Sequence, residues 1–141
     1  MKKLLLISLS ALLLSACADK DQYKEAVLAQ MKTEQDIKDY KISPEEFTDC
    51  VVDLTSKNMP GVVPFDPDRL MAYRNYATML TIADSKDPQK TFTQLKKDFG
   101  TAKALSEAKI NYSESVGECL TGLISRGEAI EKEAAEEAKG G

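Results

Sequence analysis

Two short motifs in this chain could carry catalytic chemistry, but each lacks the companion residues that its chemistry requires. Ser106 and Lys109 have the Ser-x-x-Lys spacing in which a lysine can activate a serine nucleophile. Asp98, Phe99 and Gly100 form a tripeptide that can bind a metal. The further motifs that complete either site are absent, and so is histidine, the commonest general base. The sequence therefore predicts no enzyme activity, no metal and no cofactor.

The first sixteen residues have the pattern of a secretory signal. Lys2 and Lys3 precede an apolar run over residues 4–14, and the small residues Ser15 and Ala16 follow it. The run has 11 residues, whereas a membrane-spanning helix needs roughly 20. An uncleaved membrane helix is therefore disfavoured, and a cleaved signal is predicted.

The residues at the end of this run, Leu14-Ser15-Ala16-Cys17, resemble the lipobox of bacterial lipoproteins. The resemblance covers about the first seventeen residues, and residues after Cys17 match no family pattern that we identify. It implies that residues 1–16 are removed and that Cys17 becomes the first residue of the mature chain. It also implies a diacylglycerol on the sulfur and a third acyl chain, such as palmitate, on the new amino terminus. The alternative is ordinary cleavage at an Ala-x-Ala site without lipid.

The resemblance also implies a location. In lipoproteins an aspartate after the cysteine retains the protein in the inner membrane, and here that position is Ala18. An outer-membrane anchor with the domain in the periplasm is expected, and the inner membrane and the cell surface stay open as alternatives. Two or more acyl chains suffice for stable anchoring.

Length and charge limit what the mature chain can be. Removal of residues 1–16 with their two lysines leaves 125 of 141 residues and takes the formal charge from −4 to −6. Residues 17–20 are predicted to form a lipidated tether, residues 21–127 a single helical domain, and residues 128–141 a charged, fraying tail. Because no basic block is present, binding to nucleic acid is not expected.

Two cysteines remain once Cys17 is assigned to lipid. In an exported protein, Cys50 and Cys119 are expected to form a disulfide, which would stabilise the fold by roughly 4 kcal/mol. The alternative is that both are buried free thiols, because cysteine packs as a small hydrophobic residue.

Helical periodicity dominates the chain after the signal, and alternating strand patterns are absent. A first helix is predicted over residues 21–41, bent or partly off the core at the polar segment 32–36. Three later helices begin with a capping residue followed by proline, at Ser43, Asp66 and Asp87, and a last long helix begins near Thr101. Asp49 and Asp53 lie opposite the apolar stripe of the second helix, as solvated carboxylates do. The fold class is a small all-α bundle of four to five helices with one disulfide.

Partner contacts are predicted at a loop and at one helix. Residues 58–67 contain three prolines and a glycine, together with the apolar Val62, Val63 and Phe65. We expect these side chains to tuck under the bundle, and an exposed recognition loop is the alternative. Arg74 lies between two tyrosines in the third helix and is a candidate contact, although tyrosines half-buried for packing are the preferred explanation of the cluster.

Three functions fit these features. The preferred function is a non-catalytic envelope lipoprotein whose helical domain serves as a structural or protein-interaction module and contacts another envelope protein. A carrier for an apolar ligand requires a large apolar cavity between the helices. A small hydrolase requires a cleft in which polar side chains converge.

Overall fold

The computed structural model describes the backbone of residues 2–140 and the side chains of residues 17–139. The side chains of the predicted signal peptide therefore lie outside the described residues. Throughout the described chain the fold is helical, without strands. The α-helices are α1 (Lys2–Met31), α2 (Gln35–Asp39), α3 (Pro44–Lys57), α4 (Pro67–Leu80), α5 (Pro88–Asp98) and α6 (Ala102–Gly140), with a 3₁₀ turn at Ile82–Asp84. The all-α bundle predicted from the sequence is confirmed.

The first predicted helix has the wrong bounds at both ends. α1 is already helical before Cys17, because nothing in residues 16–20 breaks a helix. It ends at Met31, and the chain turns before the short α2. The polar segment offers no apolar anchor there, and Tyr40, at the end of the predicted range, is 56% exposed. Lys41 has a positive φ of 54°, and the Ile42 amide donates to the Ile37 carbonyl, a helix-ending pattern usually built on glycine.

The predicted helix starts are confirmed by capping hydrogen bonds. The Ser43 hydroxyl accepts from the Glu46 amide, and Asp66 and Asp87 accept from amides in the first turns of α4 and α5. At α6 the Thr101 hydroxyl accepts from the Ala104 amide. Each cap satisfies an amide that the helix itself leaves without a partner. These bonds are local, which is why a four-residue pattern predicts them.

The core forms where α1 packs between α3 and α4. Tyr23 is fully buried, and its ring lies 6.0 Å from that of Tyr73 and 5.6 Å from that of Tyr76, measured between ring centroids. The Tyr23 hydroxyl is 2.9 Å from the Thr55 hydroxyl, which itself donates to the Val51 carbonyl at 2.8 Å. Tyr23 is therefore the donor in that pair. Ring packing and a satisfied hydroxyl fix the central helix against both neighbours.

The predicted disulfide between Cys50 and Cys119 is present and joins α3 to α6. The two sulfur atoms are 2.02 Å apart and the two Cα atoms 5.9 Å apart. Cys119 is buried and Cys50 is partly buried against the core. The bond therefore fixes the last helix to the side of the bundle.

α6 runs antiparallel to α3 and continues past it. Asn111 donates to the carbonyl of Thr55 near the carboxyl end of α3, whereas Arg126 pairs with Glu46 at its amino end. The described residues after Arg126 are all exposed and extend beyond the bundle. The carboxyl end of α3 leads instead into the proline-rich loop, at the opposite end of the bundle.

The buried tyrosines predict a loss of stability in alkaline solution. Burial raises the pKa of Tyr23, Tyr76 and Tyr112 above the ordinary value of 10. Above about pH 10 the unfolded chain releases protons that the folded chain retains, so stability is complete below that pH and falls as the pH rises. Each such tyrosine contributes up to about 1.4 kcal/mol per pH unit to this decline.

Urea unfolding of a chain carrying Cys17→Ser, compared between about pH 9 and about pH 11, checks this expectation. Tyr23→Phe should make the decline shallower, because it removes one of the protons involved. Tyr40→Phe is the control, since Tyr40 is exposed. Equal slopes in all three proteins would contradict the assignment.

Candidate functional site

Cys17 lies in the same groove as the apolar loop that the sequence analysis considered separately. The groove has a volume of about 310 Å³ and is open to solvent. α1 contributes Cys17, Lys20 and Asp21 to it. The loop and the start of α4 contribute the remaining lining residues, Val62, Val63, Pro64, Phe65, Arg69 and Tyr73. The predicted lipid attachment point and the predicted contact loop thus share one end of the molecule.

The loop side chains are exposed, so the prediction that they tuck under the bundle is wrong. Val62 is 94% exposed, Val63 53% and Phe65 58%. Met59, which precedes them, is buried and occupies the core at this end. The apolar side chains that follow it are held outside, which leaves the alternative of an exposed loop.

This exposed segment is held in place by polar contacts. The Arg69 guanidinium donates to the carbonyl of Ser56 at the end of α3, and to that of Gly61 at 2.6 Å. The Asp66 carboxylate accepts from the Val62 amide at 3.2 Å as well as from the Asp68 amide at 3.0 Å. The loop is therefore fixed at its start and at its end.

Gly61 is required by this arrangement. Its φ is +90°, a conformation that other residues rarely adopt, and a Cβ at this position would lie 2.8 Å from both the Cβ and the backbone nitrogen of Arg69. Sequence reasoning identified the loop but missed Arg69, because no local pattern links an arginine in one helix to a carbonyl in the preceding loop.

Arg74, the other predicted contact residue, lies at the same end of the molecule. It is exposed, and its Nε is 3.7 Å from an Asp19 carboxylate oxygen. Its neighbours Tyr73 and Tyr76 are core residues, with hydroxyls bonded to Ser56 and Asn111 respectively. The tyrosines of this cluster are thus explained by packing, and only Arg74 faces solvent.

Another groove, of about 400 Å³, lies between α4, α5 and α6 and is also open to solvent. Its apolar wall includes Tyr76 and Phe99, whose ring centroids are 6.0 Å apart. The amide of Asn111 donates to Thr55 and Tyr76 and accepts from Asn58. The Asn111 side chain in this groove therefore holds the helices together.

The motifs that suggested chemistry have structural roles. Gly100, with a φ of +81°, lies just past the end of α5, as expected of a helix stop. Lys109 lies over the ring of Phe92, with its Nζ 5.5 Å from the ring centroid. Asp49 pairs with Lys24, and this hydrogen bond raises the pKa of that lysine. Among the described residues, no group of three potential ligands could hold a metal ion.

Comparisons with protein-family models, with curated proteins and with solved structures find no match to this chain. The functional argument therefore depends on the chain itself. Within the described residues, no helix combines the length and the apolar character needed to cross a bilayer.

Proposed function

We propose that the protein is a membrane-anchored envelope lipoprotein whose helical domain is a non-catalytic structural or interaction module in the periplasm. The observation that carries the proposal is the placement of Cys17. It is exposed on α1, the helix that continues directly into the core, at the end of the bundle away from the projecting part of α6. A lipid on this residue would hold one end of the domain at the membrane and leave the other end free.

The cysteine arrangement supports the anchor. Cys50 and Cys119 are consumed by each other, and Cys17 is the remaining thiol, exposed on the surface. Since two or more acyl chains anchor a protein stably, modification of Cys17 would be sufficient. The lipobox-like residues before it supply the recognition pattern for that modification.

A non-catalytic role is supported by the state of the polar side chains. In the groove between α4, α5 and α6 the Asn111 amide is bonded to α3 and α4, and the Ser106 and Lys109 side chains are exposed on α6. The carrier alternative is supported less well, because this groove is an open cleft rather than an enclosed apolar cavity.

The projecting part of α6 supports an interaction role. It extends roughly 20 Å beyond Arg126 at 1.5 Å per residue. From Glu128 onward it carries five glutamates and two lysines, and Ile130 within it is 60% exposed. A helix that extends away from the membrane and is exposed on all sides is accessible to a second envelope protein.

Membrane fractionation of a Cys17→Ser variant tests the anchor. The unaltered protein should sediment with membranes and the variant should be soluble, because serine provides no sulfur for the lipid. Ala18→Ser is the matched control, since it changes the adjacent exposed residue and keeps the thiol. Mass spectrometry must show that residues 1–16 are absent from the variant, since their apolar run would hold an uncleaved chain at the membrane. A cleaved Cys17→Ser protein that stays with membranes would overturn the anchor.

Affinity capture from membranes in mild detergent tests the interaction role. A protein recovered with the full chain should be lost when residues 128–141 are deleted. That deletion removes residues which, where described, are exposed and contribute nothing to the core. Equal recovery with both chains would exclude the projecting helix as the contact.

A further inference from the structure

We propose that Val62, Val63 and Phe65 form a second membrane contact, which enters the lipid surface beside the acylated Cys17. This inference rests on the anchor in the proposed function and adds an orientation to it. The occupant is the bilayer into which the Cys17 acyl chains insert. An anchor alone would let the domain swing freely, whereas two contacts at one end would seat it on the membrane.

The first support is the continuity between the loop and the anchor. Cys17 and the three apolar side chains line the same groove, so a lipid attached to the sulfur would begin next to the loop. When the acyl chains enter a bilayer, this end of the bundle must lie at its surface. A protein partner for the loop would have to fit into the narrow space between the domain and the head groups, whereas lipid is already there.

The second support is the chemistry of the exposed surface. Neighbouring apolar side chains exposed to solvent at the tip of a loop mark a binding surface when they form a patch. Side chains of this kind enter the boundary between head groups and acyl chains, about 5–10 Å deep. The adjacent prolines cannot donate backbone hydrogen bonds, so they leave fewer amides to be desolvated on insertion.

The third support is the rigidity of the loop. Arg69 holds the Gly61 carbonyl, and the Asp66 carboxylate, which follows the tip, holds the Val62 amide at its start. The positive φ of Gly61 permits the turn that leads into the tip. Because the tip is already ordered, insertion loses little conformational freedom. An exposed apolar segment without such supports would more readily collapse onto the core.

Charge is not the source of this contact. The groove includes Lys20 and Arg69 but also Asp21, and the chain from Cys17 onward has a formal charge of −6. A net negative domain gains nothing from anionic lipid, unlike the polybasic segments that bind membranes through charge. The contact should therefore form on zwitterionic lipid and should persist in high salt.

The absence of tryptophan from the chain provides a direct test. Phe65→Trp places a single tryptophan at the loop tip, and Ile130→Trp places one at a similarly exposed site on the far end of α6. Each lipidated variant is reconstituted into phosphatidylcholine vesicles whose acyl chains do or do not carry bromine, which quenches tryptophan on contact. The emission of the Phe65→Trp variant should fall by roughly half with brominated lipid, given insertion to acyl depth. The Ile130→Trp variant should be unaffected.

Further variants exclude an effect of the probe itself. Adding Val62→Asp and Val63→Asp to the Phe65→Trp chain should abolish quenching while the protein still floats with the vesicles. Both positions are exposed, so neither substitution disturbs the core. High salt should leave the quenching of Phe65→Trp unchanged.

The possible outcomes separate the anchor from the second contact. Failure of every lipidated chain to float with vesicles would refute the proposed anchor. Flotation with no quenching of Phe65→Trp would refute the loop contact alone. A blue shift without quenching would also refute it, since it would show the tip covered by the protein's own acyl chain or by a second copy.

Discussion

Replacing both Cys50 and Cys119 with alanine should lower the free energy of unfolding by about 4 kcal/mol. The disulfide closes a loop with a sequence separation of 69 residues, and a loop of this length greatly restricts the unfolded chain. α6 packs mainly on α3, so the bond also links α6 to the centre of the bundle. A domain of this size commonly has only 5–15 kcal/mol of stability, so the loss would be a large fraction of the whole.

Urea unfolding at neutral pH in a Cys17→Ser background measures this effect without interference from the third thiol. Reduction of the same protein with its disulfide residues intact is the matched control, because it opens the loop without changing a side chain in the core. Reduced and double-alanine proteins should unfold at similar urea concentrations. A decrease below about 1 kcal/mol would mean that the unfolded chain is compact enough to keep these positions close together.

The features that the sequence predicted are those set by short-range patterns. The helix starts at Ser43, Asp66 and Asp87 depend on a capping residue, a proline and an amide within three positions. The disulfide was predicted although its cysteines are distant in the chain, because with Cys17 assigned elsewhere a single intramolecular pair remained. The pairing was therefore predicted by eliminating the other pairs, without knowledge of the distance between the two cysteines.

The features that the sequence missed depend on contacts between separate elements. Apolar side chains at Val62 and Phe65 suggest burial when considered alone, and their exposure follows from the way Arg69 and Asp66 hold the backbone. The placement of Cys17 beside this loop depends on how α1 packs between α3 and α4. No spacing along the chain encodes that placement, so the candidate site emerged only from the fold.

The start of the first helix was predicted wrongly because it was inferred from the expected cleavage site and not from helix-breaking residues. Because the lipobox-like residues predict cleavage before Cys17, residues 17–20 were predicted to form a tether. In the structure they are a continuous part of α1, and Asp19 pairs with Arg74 on α4. The proposed attachment point is therefore rigidly connected to the core.

Arg69→Ala should lower the free energy of unfolding by about 3 kcal/mol, because hydrogen bonds from a charged group contribute about 1.5–3 kcal/mol each. The guanidinium donates to the carbonyls of Ser56 and Gly61, and thus joins the end of α3 to the loop through α4. Its loss should also raise amide hydrogen exchange across residues 58–66, whereas exchange in α6 should change only with global stability.

Arg74→Ala is the matched control, since it removes the same side chain from the same helix at an exposed position. Its ion pair with Asp19 is 3.7 Å long and solvated, so its loss should cost less than about 1 kcal/mol. Arg69→Lys should fall between the two, because a lysine keeps the charge but lacks the planar group that reaches two carbonyls. If Arg69→Ala and Arg74→Ala were equally mild, the loop would be held by Asp66 and its prolines instead.

Because Arg69 supports the segment that carries Val62 and Phe65, its replacement should also weaken lipid quenching of the Phe65→Trp variant while leaving flotation intact.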